Sequence, residues 1–187
     1  MVRERVALGL LVVSTVVAVW GVPAASWHAS GADPCHLATI AGVATVLFLI
    51  VAHFLGARAQ QVERVALAAF LAAMPLVYVA SWFWARPGGE GAGWLWIELG
   101  AVPVYAGLAL LGLRRSPWLL VAGIAGHGLL WDAWHHGRTS FVPDWYATGC
   151  LILDVSLAIY YAARLSNPAP RSMVTSPSSR ARRPGAA

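Results

Sequence analysis

The feature that most constrains this chain is a succession of apolar stretches, each about the length needed to cross lipid. A spanning helix takes about 20 mainly apolar residues. Six stretches qualify: Val6–Ala25, Leu37–Leu55, Val65–Ala85, Trp94–Leu113, Trp118–His136 and Trp145–Ala163. Hydrophobic residues are 59% of the 187 and charged residues 11%, where a soluble domain carries roughly 25% charge. A core this small cannot absorb so much apolar surface, and a bilayer can. The expectation is an all-α, polytopic membrane helix bundle of about six transmembrane helices over residues 1–165. A disordered basic tail, rich in Ser, Pro and Arg, follows over 166–187. Pro75 and Pro103 fall inside spans, where bundles tolerate kinks.

The net charge of +5 could point to nucleic acid, but the placement of the arginines argues for a membrane address and no nucleic-acid partner. With the N-terminus inside, the inner segments hold Arg3, Arg5, Arg58, Arg64, Arg114, Arg115, Arg164, Arg171, Arg180, Arg182 and Arg183, leaving only Arg86 and Arg138 outside. That bias is the positive-inside pattern and predicts an inner-membrane protein with both termini cytoplasmic. The first span has a signal-peptide look, ending in Val22-Pro23-Ala24-Ala25-Ser26, but its apolar stretch exceeds the usual 7–15 residues and reads as a retained helix. Many tryptophans fall near helix ends, as headgroup-level belts require. Cys35 and Cys150 lie in the outer half, where a disulfide is allowed, yet Cys150 sits deeper than Cys35, which argues against a bridge. Glu63 and Arg64 read as markers of a cytoplasmic helix boundary.

Ionisable groups inside spans are costly and mark function by default. At about 1.5 Å per residue they sort into layers. His36, His135, His136 and Asp144 lie at the outer rim, Glu98 and Asp132 about 6 Å below it, and His127 and Asp154 about 13–15 Å down. On an α-helix Asp132 neighbours His135 and His136 at i+3 and i+4. With Asp144, and Glu98 or His36 arriving from other helices, these form a candidate metal set for a divalent ion such as zinc. The alternative is a solvated helix end. His127 and His135 are about 12 Å apart along a helix, too far to share one ion, since zinc ligands sit about 2 Å from the metal. His127 and Asp154 match in depth on neighbouring helices and are expected to pair, as an acid/base couple or as interhelical glue. Glu98 is the third candidate catalytic group.

The pattern Trp131-Asp132-x-x-His135-His136, then Trp145-Tyr146 and Cys150-x-x-x-Asp154, resembles a group of uncharacterised small bacterial multi-pass membrane proteins over Ala125–Asp154. The resemblance implies a site shared by the fifth and sixth helices and says nothing of the reaction. Membrane di-iron hydroxylases carry several H-x-x-H-H boxes; here Asp132 stands at the first His position of a single box, which excludes that ligand set. Three functions compete: a metal-dependent enzyme embedded in the membrane, a hydrolase, lyase or isomerase taking a lipid or isoprenoid-like substrate from the bilayer; a small proton-coupled transporter; and a non-catalytic membrane partner. An inner continuation of the polar path, which transport needs, is offered by His53 alone.

Overall fold

The computed structural model describes residues 6–13, 15, 33–55, 60–85 and 92–167. The tail from 168 onward, Val22–Ser26, His28, Trp20, Trp27, Arg58, Arg86 and the arginines before Val6 lie outside the described residues. Among the described residues every regular element is helical. A helical segment, α1, covers 6–13. It is followed by α2 (Pro34–Leu55), α3 (Gln60–Ala85), α4 (Ala92–Arg114), α5 (Trp118–Gly126), a π-helical turn (His127–Asp132), α6 (Ala133–His135) and α7 (Asp144–Ser166). Four of these, α2, α3, α4 and α7, are long and apolar enough to cross a membrane, compatible with an integral membrane protein. The stretch from Trp118 to His135 is divided by the π turn, but its junctions at Gly126, Asp132 and Ala133 all keep right-handed helical dihedrals, so the chain crosses it as one rod.

The helices begin and end where local chemistry satisfies their free backbone groups. The Asp33 carboxylate accepts the Cys35 N–H at 2.8 Å, capping the start of α2. At the other end of the bundle the Arg64 guanidinium donates to the carbonyls of Gly112 (2.7 Å) and Leu113 (2.7 Å), which the last turn of α4 leaves without helical donors. Helix α3 packs on α2 and α4, and α7 packs on α5 and the π turn. On α4 the buried stripe is Glu98, Ala101, Tyr105, Ala109 and Gly112, spaced by three and four. Small residues there let the helices approach closely.

The buried interior divides into layers. Leu67, Leu71, Leu120, Ile124 and Leu157, each fully buried, fill the middle. At the Arg64 end, Glu63 is fully buried and its Oε2 accepts from Arg164 Nε at 3.3 Å. Tyr160 lies beside it, its hydroxyl 3.4 Å from His53 Nδ1. Glu63 is therefore no boundary marker. Helix α3 begins at Gln60 rather than near Val65, which carries Glu63 inside, where it requires a cationic partner. The remaining polar groups gather on the far side of the apolar layer.

Candidate functional site

His127 opens the π turn and Asp132 closes it. In an α-helix positions i and i+5 are about 140° apart; the wider turn brings them to one side. The Ala133 N–H reaches back to the Gly128 carbonyl, the i→i+5 bond that defines such a turn, and turns of this kind recur at functional sites. His127 Nδ1 lies 3.4 Å from Asp132 Oδ1.

Helix α7 supplies the third member. His127 Nδ1 is 2.9 Å from Asp154 Oδ2, the contact that matching depth predicts. Gly128 makes the approach possible: a Cβ there would stand 2.8 Å from Asp154 Cβ and 3.3 Å from the Leu151 carbonyl oxygen. From α3, the Tyr78 hydroxyl donates to Asp132 Oδ1 at 2.5 Å. Tyr105 on α4 sets its ring edgewise against the imidazole, centroids 5.0 Å apart. Exposure is 1%, 0% and 1% for His127, Asp132 and Asp154, so water does not replace these contacts. Their ligand atoms lie within 4.8 Å of one another, the one such His/Cys/Asp/Glu group among the described residues. Asp132 Oδ2 and His127 Nε2 are buried without a partner.

The residues expected to form a rim metal set take separate partners. His135 is buried, its Nδ1 2.8 Å from the Trp131 carbonyl and its Nε2 2.6 Å from Glu98 Oε1. A carbonyl only accepts, so Nδ1 carries a hydrogen and Nε2 meets the carboxyl group. Rings of Tyr78, Trp131, Trp134 and Trp94 stand 4.5–5.7 Å from the imidazole. His136 lies past the helix, with ψ at 122°, exposed and 3.1 Å from the Thr148 hydroxyl. Asp144 is exposed and accepts the Gly137 N–H at 2.7 Å, bracing a glycine whose φ of 68° suits no side chain well. Asp132 thus faces inward to Tyr78 and His127, not along the helix to His135 and His136. His36 pairs with Asp33 at 3.5 Å. The cysteines are unbridged, with Cys35 Sγ 3.3 Å from the Ser81 hydroxyl. Reading by sequence missed Tyr78, which sits in an uncharged span with nothing to distinguish it from packing aromatics.

Beside the three-residue group lies a cavity of about 120 Å³. His127, Asp154, Cys150 and Tyr146 line one side, and Ala41, Gly42, Phe70 and Met74 are among the apolar residues of the others. The cavity is partly open, and Ala41 in its lining is exposed. Ala41 lies about 10 Å along the helix from Pro34, where α2 begins. No protein-family model, no curated protein and no solved structure matches this chain.

Proposed function

We propose that this chain is a multi-pass inner-membrane enzyme of six helices, with both termini cytoplasmic, that performs acid–base chemistry on a lipid or isoprenoid-like substrate. The observation that carries the reading is the buried His127–Asp154 pair in the wall of a partly open apolar cavity. Sites for small molecules combine mainly apolar walls with a few placed polar groups. A cavity near 150 Å³ holds a benzene-sized body, which suits one end of a chain entering sideways. His127 would move the proton, and Asp154 would orient the ring and balance its charge, the roles such pairs take in general acid–base catalysis. Hydrolysis, elimination and isomerisation all fit that apparatus. The kinship implied by Ala125–Asp154 with small bacterial multi-pass proteins belongs to the same proposal.

The orientation is supported by the clustering of Arg64 and Arg164 with Glu63 at the end of the bundle away from the site. Transport is disfavoured by the layer of Leu67, Leu71, Leu120, Ile124 and Leu157. It separates the His127 group from the Glu63–Arg164 pair and leaves no continuous polar path among the described residues. A purely structural role for the pair leaves the adjoining cavity unexplained.

The test has two readings. A phospholipid with a diazirine on its acyl chain should label α2 or α7 at the cavity in the reconstituted protein, and Gly42→Phe should abolish the labelling. A Cβ at Gly42 already meets Leu153 Cδ2 at 3.2 Å. Membranes of a host expressing the wild type should also differ in one lipid class from those expressing Asp154→Ala. Unchanged lipid profiles together with no cavity labelling would sink the proposal.

A further inference from the structure

We propose that His127, Asp132 and Asp154 together bind one divalent first-row transition-metal ion, of the Zn²⁺ or Mn²⁺ kind, with a free coordination position toward the cavity. This rests on the proposed function only in the use of that free position; the binding itself stands on the geometry of the three side chains.

Charge is the first argument. Two carboxylates and one imidazole are enclosed at 1% exposure or less, and among the described residues no Arg side chain meets them. With both carboxyls ionised, even a charged imidazole leaves the group one negative charge in excess, and balance takes either a proton on one carboxyl or a cation. Buried ions need compensation. A neutral imidazole, two carboxylates and a divalent cation sum to zero, with no proton left to place.

Distance is the second. Metal–ligand bonds of about 2.0–2.2 Å at angles of about 90–110° set neighbouring ligand atoms roughly 2.9–3.5 Å apart. His127 Nδ1 stands 2.9 Å from Asp154 Oδ2 and 3.4 Å from Asp132 Oδ1. The two carboxylates, whose ligand oxygens lie within 4.8 Å of each other, would close by at most about 1.3 Å to reach that range.

Unmet bonding capacity is the third. Asp132 Oδ2 is buried without a partner. Four carboxylate oxygens face two obvious donors, the Tyr78 hydroxyl and the imidazole. A fully hydrogen-bonded structural network does not leave such a surplus of acceptors, whereas a cation uses it. Metal sites also carry outer groups that hold their ligands in place. Tyr78 does this for Asp132 at 2.5 Å, and the Tyr105 ring confines the imidazole. The π turn contributes both His127 and Asp132, so the backbone itself sets the bite of the site.

Three protein ligands with a fourth position open is the arrangement of catalytic rather than structural zinc. Since His127 and Asp154 line the cavity and Asp132 lies behind them, the open position faces the cavity. An ion there would polarise a substrate oxygen or lower the pKa of a bound water to about 7.

The experiment uses the full chain, purified in detergent, stripped with chelator, and titrated with ZnCl₂ by calorimetry and with CoCl₂ by visible absorption. The expected result is one ion per chain, with cobalt bands of low-symmetry coordination. Asp154→Asn, which keeps the shape and can still bond His127, should weaken binding at least 100-fold. Tyr78→Phe should weaken it 10–100-fold, and His136→Ala should leave it unchanged. Thermal melting of each variant identifies any that is unfolded; if Asp154→Asn is, the folded Tyr78→Phe protein decides. Absence of stoichiometric binding by the folded wild type overturns the inference, as does Asp154→Asn or Tyr78→Phe binding like the wild type. Labelling by the acyl-chain probe is scored separately. Cavity labelling without metal removes the ion and leaves the lipid reading, while metal without labelling and with unchanged lipid profiles removes the lipid reading alone.

Discussion

Gly128 is the position at which a single methyl group should dismantle the site. A Cβ there would stand 2.8 Å from Asp154 Cβ, where carbon atoms prefer about 3.5–4.0 Å. Helix α7 must therefore retreat by about 0.7 Å or more. Neither neighbour can yield instead, because Asp154 Cβ is fixed to the backbone and the other close atom, at 3.3 Å, is the Leu151 carbonyl oxygen. Overpacking of this kind costs about 1–3 kcal/mol. The same retreat carries the 2.9 Å contact between His127 and Asp154 beyond hydrogen-bond range, leaving two buried polar groups less well satisfied at about 1–3 kcal/mol. Alanine returns about 1 kcal/mol through its helix propensity. For Gly128→Ala the net loss is on the order of 3 kcal/mol. Gly100→Ala is the control, because a Cβ there meets nothing within 4 Å, and it should be neutral or stabilising by up to about 1 kcal/mol. Unfolding in mixed micelles, followed by circular dichroism, compares the two. Gly128→Ala unfolding together with Gly100→Ala would refute the argument that this close approach holds the π turn against α7.

Other consequences are more local. His135→Leu strands the buried Glu98 carboxyl and should cost about 3–5 kcal/mol, whereas His135→Leu with Glu98→Leu should recover at least half of that; additive losses in the same unfolding assay would show the two are not coupled. Tyr78→Phe, removing the donor to Asp132, should cost about 1–3 kcal/mol, and a neutral result means that contact contributes nothing to folding. N-Ethylmaleimide should modify Cys150, which lines the cavity, before Cys35, which is 1% exposed beside Ser81; peptide mass spectrometry showing equal rates contradicts the cavity assignment. A reporter fused after Arg164 and one placed between Gly137 and Pro143 should report opposite sides of the membrane, and agreement between them would overturn the proposed six-span topology.

The helices were legible in the sequence because lipid imposes a length and a composition. The stretches expected at Val65–Ala85, Trp94–Leu113 and Trp145–Ala163 lie within α3, α4 and α7, which extend beyond them by up to five residues at an end. Those few residues mattered at Glu63. Hydropathy ends a span at the last apolar residue, but a helix continues as long as its polar side chains find partners. Arg164, on a different helix and about a hundred positions later, gives the sequence no local sign of that.

Within the site, axial distance was legible and angle was not. Depth follows from counting at about 1.5 Å per residue, and counting suffices to bring His127 and Asp154 to one level and to keep His127 apart from His135. Deciding which side chains face each other needs the helical period as well. With 3.6 residues per turn, Asp132 shares its face with His135 and His136, and the rim set follows. The turn from His127 to Asp132 is wider, so that phase fails where the chemistry gathers, and Asp132 joins the residue five places before it. No propensity signals such a turn in His-Gly-Leu-Leu-Trp-Asp. What sustains it is tertiary: Tyr78 holding Asp132, Asp154 holding His127, and a glycine admitting α7 between them. A straight α-helix would point His127 and Asp132 in different directions and bury one of them against apolar side chains. The π turn places both against the same small set of partners, so backbone irregularity and buried charge each account for the presence of the other.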